Sequence, residues 1–139
     1  ACDLRLASED AIFAVPAAKL GLGYPVEAMT DIVGAIGAQN AKRLLYTAKS
    51  FSSQDMVSMG FLMDAVPMGD FDQACTRLAQ TISELAPLTH RATKAAVAAI
   101  ASGSAQQAQS LSDATFDSAD YAEGRSAFRE RRRPQFQGR

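Results

Sequence analysis

The chain has 139 residues, 47% hydrophobic and 21% charged, with a net charge of −1. That composition is enough for a packed core and argues against a disordered chain, and the near-zero charge predicts no broad attraction to nucleic acid or to acidic membranes. Cys2 and Cys75 form no CxxC and cluster with neither each other nor His90, so no zinc site is expected.

Both cysteines read as reduced core thiols. A Cys2–Cys75 disulfide stays open, although nothing suggests a disulfide-built domain. No apolar run nears the roughly 18 residues of a membrane span, which fits a cytoplasmic protein. The chain opens Ala-Cys-Asp-Leu-Arg-Leu with no Met and no signal-like stretch, which points to a start inside a longer protein.

Leu4 and Leu6 alternate with Asp3 and Arg5, so residues 2–7 are predicted as a strand. After the polar Ser8-Glu9-Asp10, residues 11–15 read as a second strand closed by Pro16. Lys19 to Pro25 holds two glycines and a proline, the mark of a loop with special backbone angles. Val26, Met29, Val33 and Ile36 fall on one helical face, with Gly37 as the stop. Ala41, Leu44, Leu45 and Ala48 mark a second helix. Ser52 and Asp55 form a variant capping box for a short helix to Met59, ended by Gly60. Residues 61–66 read as a brief strand closed by Pro67.

The rest is helical. A stripe from Phe71 through Leu78 to Leu85 predicts one helix, and Pro87 opens another that ends at Gly103. Ser104 is placed as the cap of a helix to about Asp117, and a last helix is predicted from about Ala119 to Arg133, stopped by Pro134. The chain thus divides into residues 1–67, mixed strand and helix, and residues 68–139, helices only. The small, alanine-rich helices of the second part suit close packing or oligomerisation.

Three stretches carry a family resemblance. Ala1-Cys-Asp-Leu-Arg-Leu-Ala-Ser8, followed by Ala11-Ile-Phe-Ala-Val-Pro-Ala-Ala-Lys-Leu-Gly-Leu22, resembles the strand-loop-strand of the enoyl-CoA hydratase/isomerase (crotonase) family. Ala41, Leu44, Thr47, Ser53, Asp55, Gly60, Phe61, Val66 and Pro67 match a second family stretch. Glu123-Gly-Arg-Ser-Ala-Phe-Arg-Glu-Arg-Arg-Arg-Pro-Gln-Phe136 resembles the family's closing tail. The resemblance implies an α/β fold, with residues 1–67 as the last turn of a ββα spiral and residues 68–139 as a helical trimerisation region, in trimers often paired into hexamers.

It also implies acyl-CoA chemistry in fatty acid metabolism, with coenzyme A as part of the substrate and no other cofactor or metal. Family enzymes stabilise a thioester enolate with two backbone N–H donors. Those donors, and the first of two catalytic carboxylates, precede the strand that opens this chain. The second carboxylate belongs in a Pro-Glu motif where this chain has Pro16-Ala17. Alanine can neither orient water nor accept a proton, so either another residue compensates or the reaction differs.

Glu27 is the nearest substitute acid, and its alternative is a first-turn glutamate interacting with the helix dipole. Tyr24 offers a phenol, or is a packed loop aromatic. Pro16, Ala17, Leu20, Gly21 and Tyr24 match the segment bordering the acyl group, with Gly21 either admitting close backbone approach or serving a tight turn. Phe128 and Arg131, three apart, match residues that hold the adenine and phosphate of CoA. Alternatively, Phe128 is core and Arg131 belongs to a solvated cluster with Arg125, Arg129, Arg132 and Arg133. A non-catalytic acyl-CoA-binding or assembly protein on the same fold is the competing reading. Residues 1–139 by themselves are expected to be inactive.

Overall fold

The computed structural model describes residues 2–103 and 105–139. Two compact units divide it, Ala1–Thr76 and Arg77–Arg139.

Among the described residues, the first unit combines four short strands with two α-helices and the start of a third. Strand β1 (Leu6–Ser8) runs parallel to β4 (Asp64–Val66), and β2 (Ile12–Phe13) runs antiparallel to β3 (Phe51–Ser52). The first ladder is prolonged by Met63 N–H donating to the Arg5 carbonyl and Glu9 N–H donating to the Val66 carbonyl, both at 2.8 Å. Both strands are shorter than the alternation at 2–7 and the apolar run at 11–15 predict. A ladder extends only as far as a partner does, and the partners here are three and two residues long.

Helix α1 covers Val26–Thr47 as one run, but Gly37 inside it has φ 74° and ψ 161°. The stop read at Gly37 is therefore a break without a connecting loop, since helical backbone resumes at the next residue. The buried face differs from the one predicted. Met29, Ile32 and Ile36 face the core, while Val26 is 81% exposed and Val33 also lies outside. The core gathers Ala7, Ile36, Leu44, Phe51, Met56 and Leu62, with Phe13 and Phe61 edge to face at 6.1 Å beside it.

Helix α2 (Ser53–Ser58) starts on the predicted capping box. The Ser52 hydroxyl accepts from Asp55 N–H, and the Asp55 carboxylate accepts from Ser52 N–H at 3.0 Å. That second bond, then the Ser52 hydroxyl, holds the Asp55 carboxyl below its ordinary range. Ser53 is wholly buried, and its hydroxyl donates to the Ser8 carbonyl at 2.6 Å with the Ala11 carbonyl at 3.1 Å, which ties the β1–β2 turn to α2. The helix closes at Gly60, whose φ of 79° needs glycine. Cys2 is exposed, Cys75 half-buried, and both are free thiols.

Helix α3 (Phe71–Ser83) crosses the division between the units. The second unit continues with α4 (Pro87–Ser102), α5 (Ala105–Phe116) and α6 (Ala119–Glu130). Pro87 fills the first turn of α4 and Gly103 closes it at φ 73°, as the sequence predicts. The cap assigned to Ser104 lies outside the described residues. Helices α4 and α5 pack as a hairpin. What they bury is small: Ala92, Ala99 and Ala108, with Ala127 from α6. The lone histidine ties the start of α4 to the end of α3, its Nε2 lying 3.1 Å from the Ile82 carbonyl. Helix α6 ends at Glu130, three residues before the Arg133 that the sequence predicts. No helix among the described residues is long and apolar enough to cross a membrane.

Candidate functional site

The segment after β2 is a succession of tight turns. Pro16 leads into a 3-10 turn at Ala17–Lys19, where the Pro16 carbonyl accepts from Lys19 N–H at 2.9 Å. The Ala17 carbonyl then accepts from Leu20 N–H at 3.1 Å and Leu22 N–H at 3.0 Å, which curls the chain back on itself. Gly21 makes that curl possible with φ 66°. A Cβ there would meet nothing within 4 Å, so the backbone angle, not crowding within this chain, calls for glycine.

The loop turns its apolar side chains outward. Leu20, Leu22, Tyr24 and Val26 are all exposed, Tyr24 the least at 40%. A run of exposed large apolar residues in one segment marks a surface that something else contacts. Ala17 is the opposite case, buried at 8% exposure. The position that the resemblance assigns to a carboxylate is thus filled by a buried methyl group.

Glu27 lies in the first turn of α1, where no side chain caps the helix and the carboxylate complements the positive helix end. It is exposed. Pro16, Ala17, Leu20, Gly21, Tyr24 and Glu27 therefore form one continuous loop and helix start in the first unit, with the 3-10 turn packed on α1. Phe128 and Arg131 belong to the second unit. Phe128 is 85% exposed and borders a hollow of about 300 Å³ with Tyr121, Gly124 and Arg125, so it is not a core residue. Arg131 does not share a regular helical face with it. Arg131 is the left-handed residue, φ 55°, that ends α6.

Sequence reading missed a set of carboxylate contacts beside these two residues. Glu123 accepts both terminal nitrogens of the Arg132 guanidinium, Nη2 at 2.9 Å, and the Gln135 N–H at 2.8 Å. The Arg132 hydrogen bond, then the Gln135 amide, brings the Glu123 carboxyl down to about 2. Glu123, and then Glu130 at 2.6 Å from Nε, raise the Arg132 guanidinium above its ordinary range. The usable signal was an acid three turns before a Pro that must end the helix. Among the described residues, no group of three His, Cys, Asp or Glu is placed to hold a metal ion.

The sequence model described as Enoyl-CoA hydratase/isomerase matches residues 1–139, the full chain. This chain belongs to the enoyl-CoA hydratase/isomerase family. Among curated relatives of this family member, methylmalonyl-CoA decarboxylase from Escherichia coli (strain K12) is 28% identical over 142 residues, covering 98% of this chain and 54% of the relative. Among solved structures, an enoyl-CoA hydratase/isomerase family protein from Hyphomonas neptunium is 32% identical with a TM-score of 0.88, covering 99% of this chain and 53% of that one. The enoyl-CoA hydratase from Bacillus anthracis is 26% identical with a TM-score of 0.84, over 99% of this chain and 55% of that one. The chain therefore spans about half the length of the relatives it matches.

Proposed function

We propose that these residues form the second half of an acyl-CoA enzyme whose reaction passes through a thioester enolate. In this reading residues 1–67 are the last turn of a ββα spiral and residues 68–139 build a homotrimer, alone or paired into a hexamer. The observation that carries the reading is the family match along the whole chain, together with an outward-facing apolar loop at Leu20–Val26 where the family borders the acyl group. Phe128 and Arg131 take the adenine and a phosphate of coenzyme A. The exposed aromatic ring and a guanidinium suit a purine face and an oxyanion respectively.

The catalytic acid is the open position. A hydratase needs a carboxylate to orient water and move the Cα proton, and Ala17 supplies none. Glu27 is the substitute within the chain. The test is hydration of crotonyl-CoA by the whole protein and by Glu27→Gln. Loss of turnover in Glu27→Gln with CoA binding retained supports Glu27 as the acid. Full turnover in that variant removes it. Residues 1–139 alone are expected to show no turnover, because the family's two oxyanion donors precede them.

A second reading is favoured by the buried methyl of Ala17. Decarboxylation of a 2-carboxyacyl-CoA breaks the Cα–carboxylate bond, releases CO2 and leaves the electron pair in the enolate. No base at Cα is required, only a proton donor afterwards. The similarity to a methylmalonyl-CoA decarboxylase points the same way, and in this reading the half-exposed Tyr24 phenol, in the loop that the family places beside the acyl group, is assigned to the departing carboxylate. Release of CO2 from methylmalonyl-CoA, reduced in Tyr24→Phe, supports it; crotonyl-CoA hydration with no CO2 release eliminates it. Binding of CoA thioesters with turnover of neither substrate would leave the non-catalytic reading.

A further inference from the structure

The residues after α6 fold back along the helix instead of leaving it. The reversal begins at Arg131, which is held in a left-handed conformation. A residue with a Cβ keeps such angles only where its surroundings impose them. Backbone bonds close the helix there, with Arg132 N–H donating to the Ala127 carbonyl at 3.0 Å, and the chain beyond is held by two carboxylates three residues apart on α6, hence on one helix face.

Glu123 takes the near end of the tail. It accepts from the Arg132 guanidinium and from Gln135 N–H, so its partners lie one and four residues beyond Arg131. Asp120, 3% exposed, takes the far end, accepting from Gln137 N–H at 2.7 Å and Gly138 N–H at 2.9 Å. The Asp120 N–H in turn donates to the Arg139 carbonyl at 3.1 Å. Between the two clamps the Phe136 ring covers Gly124, where a Cβ would come within 3.6 Å of it. Phe128 stands exposed one helical turn from the reversal.

We propose that Glu123 is a positioning residue for coenzyme A: by holding Arg132 and the Gln135 amide it fixes the turn at Arg131, and so the direction in which Arg131 meets the ligand. The proposal rests on the reading of Phe128 and Arg131 given above. It makes a prediction opposite to simple electrostatics. Neutralising Glu123 removes a negative charge from an arginine-rich helix end, which by Coulomb attraction alone would tighten binding of the polyanionic CoA. Loss of positioning weakens it.

The test is CoA affinity by titration calorimetry on the whole protein, for wild type, Glu123→Gln, Arg131→Ala and the double variant. Glu123→Gln is expected to weaken CoA binding by about tenfold, the order of one charge-assisted hydrogen bond. In the Arg131→Ala background the same change should cost nothing, because Glu123 acts through Arg131. Tighter or unchanged binding in Glu123→Gln overturns the proposal, as does an equal loss in both backgrounds, which a merely structural role would give. Unchanged binding in Arg131→Ala removes the CoA reading itself, and the proposal falls with it. If Glu123→Gln does not fold, Arg132→Lys serves instead: it keeps the charge but cannot span both carboxylate oxygens. A similar loss is expected, and unchanged affinity overturns the proposal.

Discussion

Replacing Gly37 by alanine and replacing Gly34 by alanine should move stability in opposite directions, although both glycines lie in α1 and neither would crowd a neighbour. Gly37 has φ 74° and ψ 161°, a region that side chains leave to glycine. Its added Cβ would meet nothing within 4 Å, so the penalty is backbone strain alone, of order 1–3 kcal/mol. Gly34 is ordinary helix with the same open space, and alanine there gains about 0.5–1 kcal/mol by removing freedom from the unfolded chain. The two variants therefore separate by about 1.5–4 kcal/mol. Urea unfolding of the whole protein followed by circular dichroism reads this as a difference in midpoint of roughly 0.5 M or more. A Gly37→Ala variant as stable as wild type would mean that residues 26–47 form an unbroken helix. The break at Gly37 would then be absent from the folded protein.

Ser53→Ala should destabilise by about 0.5–1.5 kcal/mol, because it removes the buried hydroxyl that bridges the Ser8 and Ala11 carbonyls; a thermal melt indistinguishable from wild type would contradict this. Ser52→Ala removes the hydroxyl that caps α2 and should cost about 1 kcal/mol, with faster amide exchange confined to the first turn of that helix. Glu123 gives a pH signature. Its carboxyl is depressed from 4.5 to about 2, so its contribution is complete above about pH 4.5 and fades as pH falls toward 2. Glu123→Gln should flatten the stability curve over that interval, and a wild-type curve with no slope there would refute the assignment.

Punctuation was the part of the fold most legible in the sequence. The Ser52–Asp55 box, Pro87, Gly60 and Gly103 act within one helical turn, so local sequence carries them. Strand lengths were not legible, because they depend on partners some forty to sixty residues away, and residues 2–4 and 14–15 lack a partner strand among the described residues. The face of α1 was misjudged at Val26 and Val33 because apolar spacing cannot separate a core contact from a surface kept for something else. The end of α6 was misplaced for a similar reason. Only the folded tail shows that Glu123 and Asp120 capture residues 132–138 and halt the helix at Arg131. At the candidate site, the motif marked Ala17 and the loop after it as the segment that borders the acyl group in the family. The burial of Ala17 and the exposure of Leu20, Leu22 and Tyr24 are properties of packing that the motif does not contain.

The central claim is a reaction that forms an enolate and closes by protonation of Cα from solvent, and solvent deuterium tests that closing step most directly. The whole protein is incubated in heavy water with crotonyl-CoA and, separately, with methylmalonyl-CoA, and the thioester products are read by mass spectrometry and proton NMR. Hydration and decarboxylation both end with a solvent proton delivered to Cα. The account predicts one deuterium at Cα in the product of at least one substrate. Bound thioester with no product and no Cα deuterium from either would contradict it.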